Sequence, residues 1–212
     1  MVRAGLTTER VVRAAADLAD IVGLDNVTVS ALARSFGVKD ASLYSHVKNV
    51  AELRARVALL AADELADHFG AAVAGRAGKD ALIAFADAYR SYALERPGRY
   101  AATQLPMDPA LLAESSGALR KIELTYSMLR GYGLAEPDLT DAVRLLRSTF
   151  HGFISIEAND GFGHSREVQA SWERAVDALH IALENWPSPA AEAPAEQTSS
   201  RTSGTSGKRR TP

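Results

Sequence analysis

The stretch TVSALARSFGVKDASLYSHVKNVAEL, residues 28–53, decides the fold, because it predicts two short helices, a tight turn and the start of a third helix. Thr28 is a favourable N-cap, since its hydroxyl can accept a hydrogen bond from an unpaired backbone N–H. Apolar side chains then recur at helical spacing. Gly37 ends the first helix, because glycine tolerates the left-handed backbone that often follows a helix C-terminus. Residues 39–47 are predicted to form the second helix.

Asn49 is the predicted cap of the third helix, and Glu52 stands three residues later, where its side chain can reach back as in a capping box. Two helices joined by a short glycine-containing turn form the helix-turn-helix pattern. In that pattern the second helix enters the major groove of DNA. The stretch therefore predicts a DNA-binding unit.

Residues 6–53 resemble the DNA-binding domain of the tetracycline-repressor (TetR) family. The resemblance rests on an amphipathic first helix followed by "TVSALARSFGV", "ASLYSHV" and "KNVAEL". One departure is Ser45–His46–Val47, where many members carry a bulkier or aromatic residue at one or both flanking positions. Another is Lys39, where Ser or Thr is common. We expect the first departure to affect packing and the second to affect which bases are read.

The resemblance implies two sets of DNA contacts. Base reading is expected from the start of the second helix, where the Lys39 ammonium group can donate to guanine O6 and N7. The residues of this first set are Lys39, Asp40, Ala41 and Ser42. Phosphate contacts are expected from Thr28, Tyr44, His46 and Lys48.

Composition bounds the rest of the chain. The 212 residues are 47 % hydrophobic and include no cysteine, so we expect an ample core, no disulfide and no thiolate metal site. No apolar run reaches about 18 residues, which predicts no membrane segment. The N-terminus lacks the apolar region of a signal peptide. The expected location is cytoplasmic.

Charge is unevenly distributed, although the net charge is only −2. Residues 1–56 carry +2, residues 57–186 carry −6 and residues 187–212 carry +2. Positive charge thus coincides with the helix-turn-helix, which modestly favours DNA contact at that end.

No segment alternates with a two-residue period, so the prediction is an all-α protein. Three parts are expected: a helix-turn-helix domain over 1–53, a helical ligand-binding and dimerisation domain over 54–186, and a disordered tail over 187–212. The tail is rich in Pro, Ser, Thr and Gly and cannot bury enough apolar surface to order itself. The predicted helices span residues 8–22, 28–36, 39–47, 49–69, 79–95, 99–105, 109–132, 138–159 and 165–185. A break near Ser115–Gly117 is the alternative for the helix 109–132.

No catalytic motif is present. The chain has no GxGxxG, P-loop, HExxH or GxSxG sequence, and its five histidines form no pair with helical ligand spacing. We therefore expect no enzymatic activity, no cofactor and no metal.

A ligand pocket is predicted among the helices that span residues 79–159. Tyrosines with polar tips and flexible methionines could line an apolar cavity. The candidates are Tyr89, Tyr92, Tyr126, Met128 and His151. Ordinary core packing is the alternative for most of them, and His151 could instead donate to a backbone carbonyl.

The last two predicted helices are expected to form a homodimer interface. Each carries a long apolar stripe, and two helices from each subunit can close a four-helix bundle, as in the resembling family. The predicted interface residues are Phe150, Phe153, Trp172, Val176, Leu179 and Leu183. The alternative is that one subunit satisfies the terminal stripe internally.

"YALERPGRYAA" and "FHGFISIEANDGFG" also resemble a TetR-family subset that often carries Trp-His-Gly in the last-but-one helix, although Phe150 replaces that Trp here. The resemblance as a whole implies a homodimeric regulator, most often a repressor, that binds a palindromic operator and is released by a small molecule. A ligand-independent architectural or cell-cycle DNA-binding factor of the same fold stays open. An enzyme is a third class, for which no catalytic set is found.

Overall fold

The computed structural model describes residues 5–107 and 115–187, and this part of the chain is all-α, as the sequence predicts. None of these residues forms a β-strand, and none of their helices has the length and apolar character needed to cross a membrane. Their helices are α1 (Thr8–Val22), α2 (Val29–Phe36), α3 (Asp40–Leu43), α4 (Val50–Val73), α5 (Gly78–Glu95), α6 (Pro97–Thr103), α7 (Ser116–Arg130), α8 (Asp138–Glu157) and α9 (Val168–Glu184).

The first three helices and the start of α4 enclose a small core of short apolar side chains. Thr7 caps α1 by accepting a hydrogen bond from the backbone N–H of Arg10, 3.3 Å away. The buried face of α1 is built largely from valine and alanine, which allow its neighbours to approach closely. Leu32 of α2 and Leu43 of α3 fill the centre, and both are fully buried.

A second core, between α4, α5, α7, α8 and α9, is dominated by aromatic rings. The ring centroids of Phe69 and Phe85 lie 4.2 Å apart, and Phe150 lies 5.4 Å from Trp172. Tyr89 lies 5.5 Å from Phe150 and completes the cluster. Such offset and tilted ring pairs add stabilisation beyond the area that they bury.

The helix α4 contributes to both cores. Its first half places Leu53 and Val57 in the small core, and its second half places Leu65 and Phe69 in the aromatic one. It runs four residues beyond the predicted end, to Val73. The division into domains 1–53, 54–186 and 187–212 stays a prediction. Its first boundary, between residues 53 and 54, falls inside this helix.

The short helix α6 lies directly on α1. A Cβ atom added to Gly98 would stand 2.1 Å from the carbonyl carbon of Ala19, so only glycine permits this approach. Tyr100 of α6 belongs to the aromatic core, whereas Ala102 belongs to the small core. The helix therefore joins the two cores, a role that the sequence does not predict.

Two predictions fall partly on residues outside those described. The predicted helix 109–132 begins there, and its described part is α7, which Ser115 caps by accepting from the N–H of Ala118 at 3.1 Å. The predicted disordered tail also lies outside the described residues, apart from Pro187.

Candidate functional sites

The predicted caps organise the helix-turn-helix. The Thr28 Oγ1 atom accepts a hydrogen bond from the N–H of Ala31 at 3.1 Å, which leaves its own hydroxyl hydrogen to donate elsewhere. Gly37 has φ +64° and ψ +34°, the left-handed conformation that was predicted for it. The local sequence therefore sets the angle between α2 and α3.

The second helix is shorter than predicted, with α3 covering Asp40–Leu43 rather than residues 39–47. The Ser45 hydroxyl donates to the carbonyl oxygen of Ser42 at 2.8 Å. The N–H of His46 turns instead to Leu43, three residues back, at 2.9 Å. The chain therefore leaves regular α-helical geometry after Leu43 and continues in a tighter turn.

The predicted DNA contacts lie on α2, on α3 and on the connection to α4. Seven of the eight side chains are exposed, and His46 is half-buried. Lys39 precedes α3 in an extended backbone conformation, and Asp40 accepts a hydrogen bond from the Ser30 hydroxyl of α2. That bond ties the start of α3 to α2 and leaves Asp40 less free than its neighbours to meet a base.

The N-terminus of α4 carries the predicted capping box in a modified form. Asn49 Oδ1 accepts from the N–H of Glu52 at 2.8 Å, while Glu52 Oε2 accepts from the N–H of Lys48 at 2.6 Å. The Lys48 backbone and Arg56 hold the pKa of the Glu52 carboxyl below its usual range. The Lys48 ammonium group makes no ion pair with any described residue and is exposed.

A cavity of about 290 Å³ lies between α4, α5, α7, α8 and the C-terminal end of α6. Tyr89 and Tyr126 line it, as the sequence analysis predicts. Burial raises the pKa of the Tyr89 hydroxyl, which lies 3.3 Å from that of Tyr100. The remaining wall is mostly aliphatic and aromatic.

The other three predicted ligand contacts are not brought to this cavity. Tyr92 is fully buried beside α4, where its hydroxyl lies 3.3 Å from the Ala61 carbonyl oxygen and 3.2 Å from Glu64 Oε2. Met128 packs in the aromatic core. His151 is exposed, and its Nδ1 atom lies 2.7 Å from the Tyr100 hydroxyl rather than near a backbone carbonyl. These three residues therefore do not line this cavity, because helical spacing does not reveal which face meets it, and their role as ligand contacts stays a prediction.

Two cationic residues that the sequence analysis missed also line the cavity, Lys121 of α7 and Arg147 of α8. Lys121 is half-buried, and its pKa is lowered by burial and by the nearby charge of Arg147. The available signal was weak: Lys121 falls on the same face of α7 as the inward residues Ala118 and Thr125.

The predicted dimer stripe is used inside the subunit. Five of its six residues are buried in the chain's own aromatic core, and Trp172 Nε1 donates to Asp87 Oδ1 of α5 at 2.8 Å. The buried five are Phe150, Trp172, Val176, Leu179 and Leu183. Phe153 is half-buried, with its ring 4.8 Å from that of Phe162. The subunit thus covers this face of α9 with its own α5 and α8, which is the alternative that the sequence left open, and a homodimer stays a prediction.

The opposite faces of α8 and α9 carry apolar side chains that the subunit leaves uncovered. Ile156 of α8 is 45 % exposed, and Ile181 of α9 is 59 % exposed. Ala178 and Ala182 flank Ile181 and are also exposed.

No group of three or more potential metal-ligating side chains is found among the described residues.

Comparisons with known proteins agree with this architecture. Residues 82–179 match the family described as the tetracyclin repressor-like, C-terminal domain. Over 158 residues the chain is 37 % identical to the uncharacterized HTH-type transcriptional regulator Rv0681 of Mycobacterium tuberculosis, covering 73 % of this chain and 71 % of that protein. It is 31 % identical over 169 residues to the uncharacterized HTH-type transcriptional regulator YobS of Bacillus subtilis, covering 80 % and 88 % respectively. The fold is similar to that of a TetR variant from Acinetobacter baumannii AYE in complex with minocycline, with a TM-score of 0.68, 20 % identity, and coverage of 87 % of this chain and 100 % of that one.

Proposed function

The chain belongs to the TetR family of helix-turn-helix transcriptional regulators, and from that premise we propose that it is a ligand-responsive repressor. In this proposal a homodimer binds a palindromic operator, and a small molecule in the cavity releases it. The position of α6 carries the proposal. Its C-terminal residue Thr103 lines the cavity, while its Gly98 lies on the backbone of α1 in the DNA-binding unit.

The proposed DNA contacts follow from exposure and charge. Lys39 and Ser42, with Asp40 and Ala41 alongside, read bases in the major groove, because they stand at the start of the exposed α3. Thr28, Tyr44, His46 and Lys48 contact phosphates on either side. The free hydroxyl hydrogen of Thr28 and the ammonium group of Lys48 are suited to that role.

The proposed homodimer uses the outer faces of α8 and α9. Exposed isoleucines on both helices would lose contact with water if two copies of this surface met around a twofold axis. Gly152 of α8 supports this orientation, because an added Cβ would meet no described residue within 4 Å, which leaves room for a partner helix. A dimer would present α3 twice, as a palindromic site requires.

The proposed release is a matter of differential affinity. A ligand shifts the equilibrium only if it binds one state better than the other. Here it would favour the state in which α6, and with it α1, holds the two α3 helices at the wrong spacing for successive major grooves. The TetR variant that is similar in fold holds minocycline, which supports a small-molecule effector for this chain too.

The test begins with selection of duplexes from a random pool by the full-length protein, which we expect to yield a palindrome. Affinity for it, measured by fluorescence polarisation, should fall linearly on a log–log plot against salt, with a slope of about −0.9 per neutralised phosphate. A metabolite library should then contain compounds that release the duplex. No palindrome or no salt slope would refute specific operator binding. Operator binding that no compound changes would instead favour the ligand-independent factor.

A further inference from the structure

We propose that the ligand of this cavity is a small amphipathic carboxylic acid, with an apolar body among the aromatic residues and its carboxylate between Lys121 and Arg147. This inference rests on the proposed ligand response and specifies the chemistry of the effector. The cavity, at about 290 Å³, is at the small end of the range for ligand pockets and suits a compact molecule.

The apolar body is matched by the wall of the cavity. Phe69, Phe85, Leu146 and Phe150 line it and are almost completely buried. An aliphatic chain or a fused ring placed against them would be removed from water, which favours binding. The neutral polar groups of the wall are side chains of Tyr, Thr and Gln, and the aromatic and aliphatic residues between them suit a ligand that is mostly apolar.

The negative charge is matched by the two cations. Arg90 and Arg99, which are both less exposed than Arg147, have the carboxylate partners Glu157 and Asp20. Neither Lys121 nor Arg147 makes an ion pair with a described residue. Arg147 meets only a neutral acceptor there, Gln104 Oε1, at 3.3 Å.

The two charges also repel one another. Burial lowers the pKa of Lys121, and the neighbouring guanidinium group lowers it further. A single negative charge between the two groups would offset both the burial of the Lys121 charge and its repulsion by Arg147. It would also form charge-assisted hydrogen bonds, which are among the strongest that proteins make. No Asp or Glu is among the residues that line the cavity, so a cationic ligand would find no counter-charge in its described walls.

A carboxylate fits this pair better than a phosphate. A phosphate monoester carries a charge of about −1.5 to −2 at neutral pH and several strong acceptor oxygens. Among the described lining residues there are one lysine and one arginine, and Arg147 stands at the exposed rim. The monoanion therefore satisfies the site without bringing an uncompensated charge into the apolar part of the cavity.

The head group would also act on α6. Gln104 follows the last residue of this helix, and its side chain accepts from Arg147 and donates to Thr103 Oγ1 at 2.9 Å. A carboxylate is a stronger acceptor than an amide oxygen and would draw Arg147 away from Gln104. Occupation of the site is thereby linked to the helix that packs on α1.

The test compares matched acids and amides on the full-length protein. Calorimetry is carried out with octanoic acid and octanamide, and with naphthoic acid and naphthamide. We expect at least one acid to bind about tenfold more tightly than its amide, because hydrogen bonds to charged groups carry most of the difference. Lys121→Met combined with Arg147→Met should remove that preference and leave amide affinity within about twofold.

Two control variants test whether the preference depends on positive charge inside the cavity. Arg144→Met removes an exposed arginine one turn earlier on α8, outside the cavity, and should leave the preference unchanged. Lys121→Arg keeps the positive charge and should retain it. Circular dichroism checks that each variant is folded, and Lys121→Gln combined with Arg147→Gln replaces the double Met variant if that one is not.

The outcomes separate this inference from the proposed function. Acids that bind no better than amides, or a preference that survives in the double variant, overturn the carboxylate assignment. If a neutral compound then releases the operator, the ligand-responsive repressor stands without it. If acids bind with the expected preference but no compound releases the operator, the site is correct and the proposed repressor mechanism fails.

Discussion

Lys39 and Lys48 are alike in charge and exposure, and they differ in backbone position, since one precedes α3 and the other precedes α4. Lys39 precedes α3 in an extended conformation, so its side chain starts from the end of the helix that is proposed to read bases. The N–H of Lys48 is bound to Glu52 at the start of α4. The two lysines should therefore make different contributions to DNA binding.

Lys39→Ala should weaken binding to the selected operator by about 1–3 kcal/mol and relax base preference at one position. Lys48→Ala should weaken all duplexes about equally and reduce the salt slope by about one. Competition binding with single-base operator variants measures both effects. Exchanged outcomes would show that the register of α3 on the DNA is not the one proposed.

The charge of Lys121 is expected to destabilise the ligand-free protein. Lys121→Met keeps most of the side-chain volume and removes a partly desolvated charge that Arg147 repels. We expect the free energy of unfolding to rise by up to about 1 kcal/mol, which shifts the Tm of a chain of this size by about 2–4 °C. Thermal denaturation without ligand measures this.

Lys79→Met is the control for that measurement. Its ammonium group lies 2.7 Å from Asp177 Oδ1 on an exposed surface, and it holds the pKa of that carboxyl below the usual range. Removing this favourable pair should lower stability slightly or leave it unchanged. If Lys121→Met is the less stable of the two variants, Lys121 has a structural partner and its charge is not a cost.

At the scale of elements, α6 connects the cavity with the DNA-binding unit. Its Arg99 is 3 % exposed and forms ion pairs with Asp17 and Asp20 of α1 and with Glu64 of α4. Burial alone would lower the pKa of the guanidinium group, but these carboxylates outweigh it and raise the pKa. If α6 moved away from α1, the ion pairs of Arg99 would break and leave uncompensated buried charge. We therefore expect α6 and α1 to move together.

Gly98→Ala tests how closely α6 must approach α1. The added methyl group would overlap the Ala19 backbone, so α6 has to shift, and we expect a loss of stability of about 1–3 kcal/mol together with weaker operator binding. Gly163→Ala is the control, because no atom of the described chain lies within 4 Å of its added Cβ, and it should change stability by less than about 0.5 kcal/mol. Equal stability of the two variants would mean that α6 does not rest on α1 in solution.

At the scale of the whole molecule, the subunit and the proposed dimer use opposite faces of the same two helices. The inner faces hold the aromatic core around Trp172. The outer faces present Ile156 and Ile181 to solvent. A charge on one face should therefore have a different consequence from a charge on the other.

Ile181→Glu should give a folded monomer, because the charge falls on the proposed twofold interface and is repeated by the partner. Ile21→Glu, at an even more exposed isoleucine of α1, should remain dimeric. Trp172→Glu should unfold the subunit instead, because it buries a charge among aromatic rings. Light scattering with circular dichroism distinguishes these results. A dimeric Ile181→Glu variant would place the interface elsewhere.

Sequence alone was sufficient wherever the deciding interactions span a few residues. The helix periodicity, the caps at Thr28 and Asn49 and the left-handed Gly37 depend on neighbours within about one helical turn, and all of them are found. The family was recognisable for the same reason, since its helix-turn-helix is a local pattern. The end of α3 at Leu43, four residues before the predicted end, was not predicted from the same local pattern.

The tertiary structure decided which helix faces are covered within the subunit and which side chains line the cavity. A stripe such as that of α9 shows that one face will be buried, yet not whether the covering surface belongs to the same chain, and here α5 and α8 cover Trp172. Lys121 and Arg147 are 26 positions apart and meet only because α7 and α8 border the same cavity. Each residue turns a helix by about 100°, so a small change in rotation exchanges one lining side chain for another. That rotation is set by the whole core, which no local stretch of sequence contains.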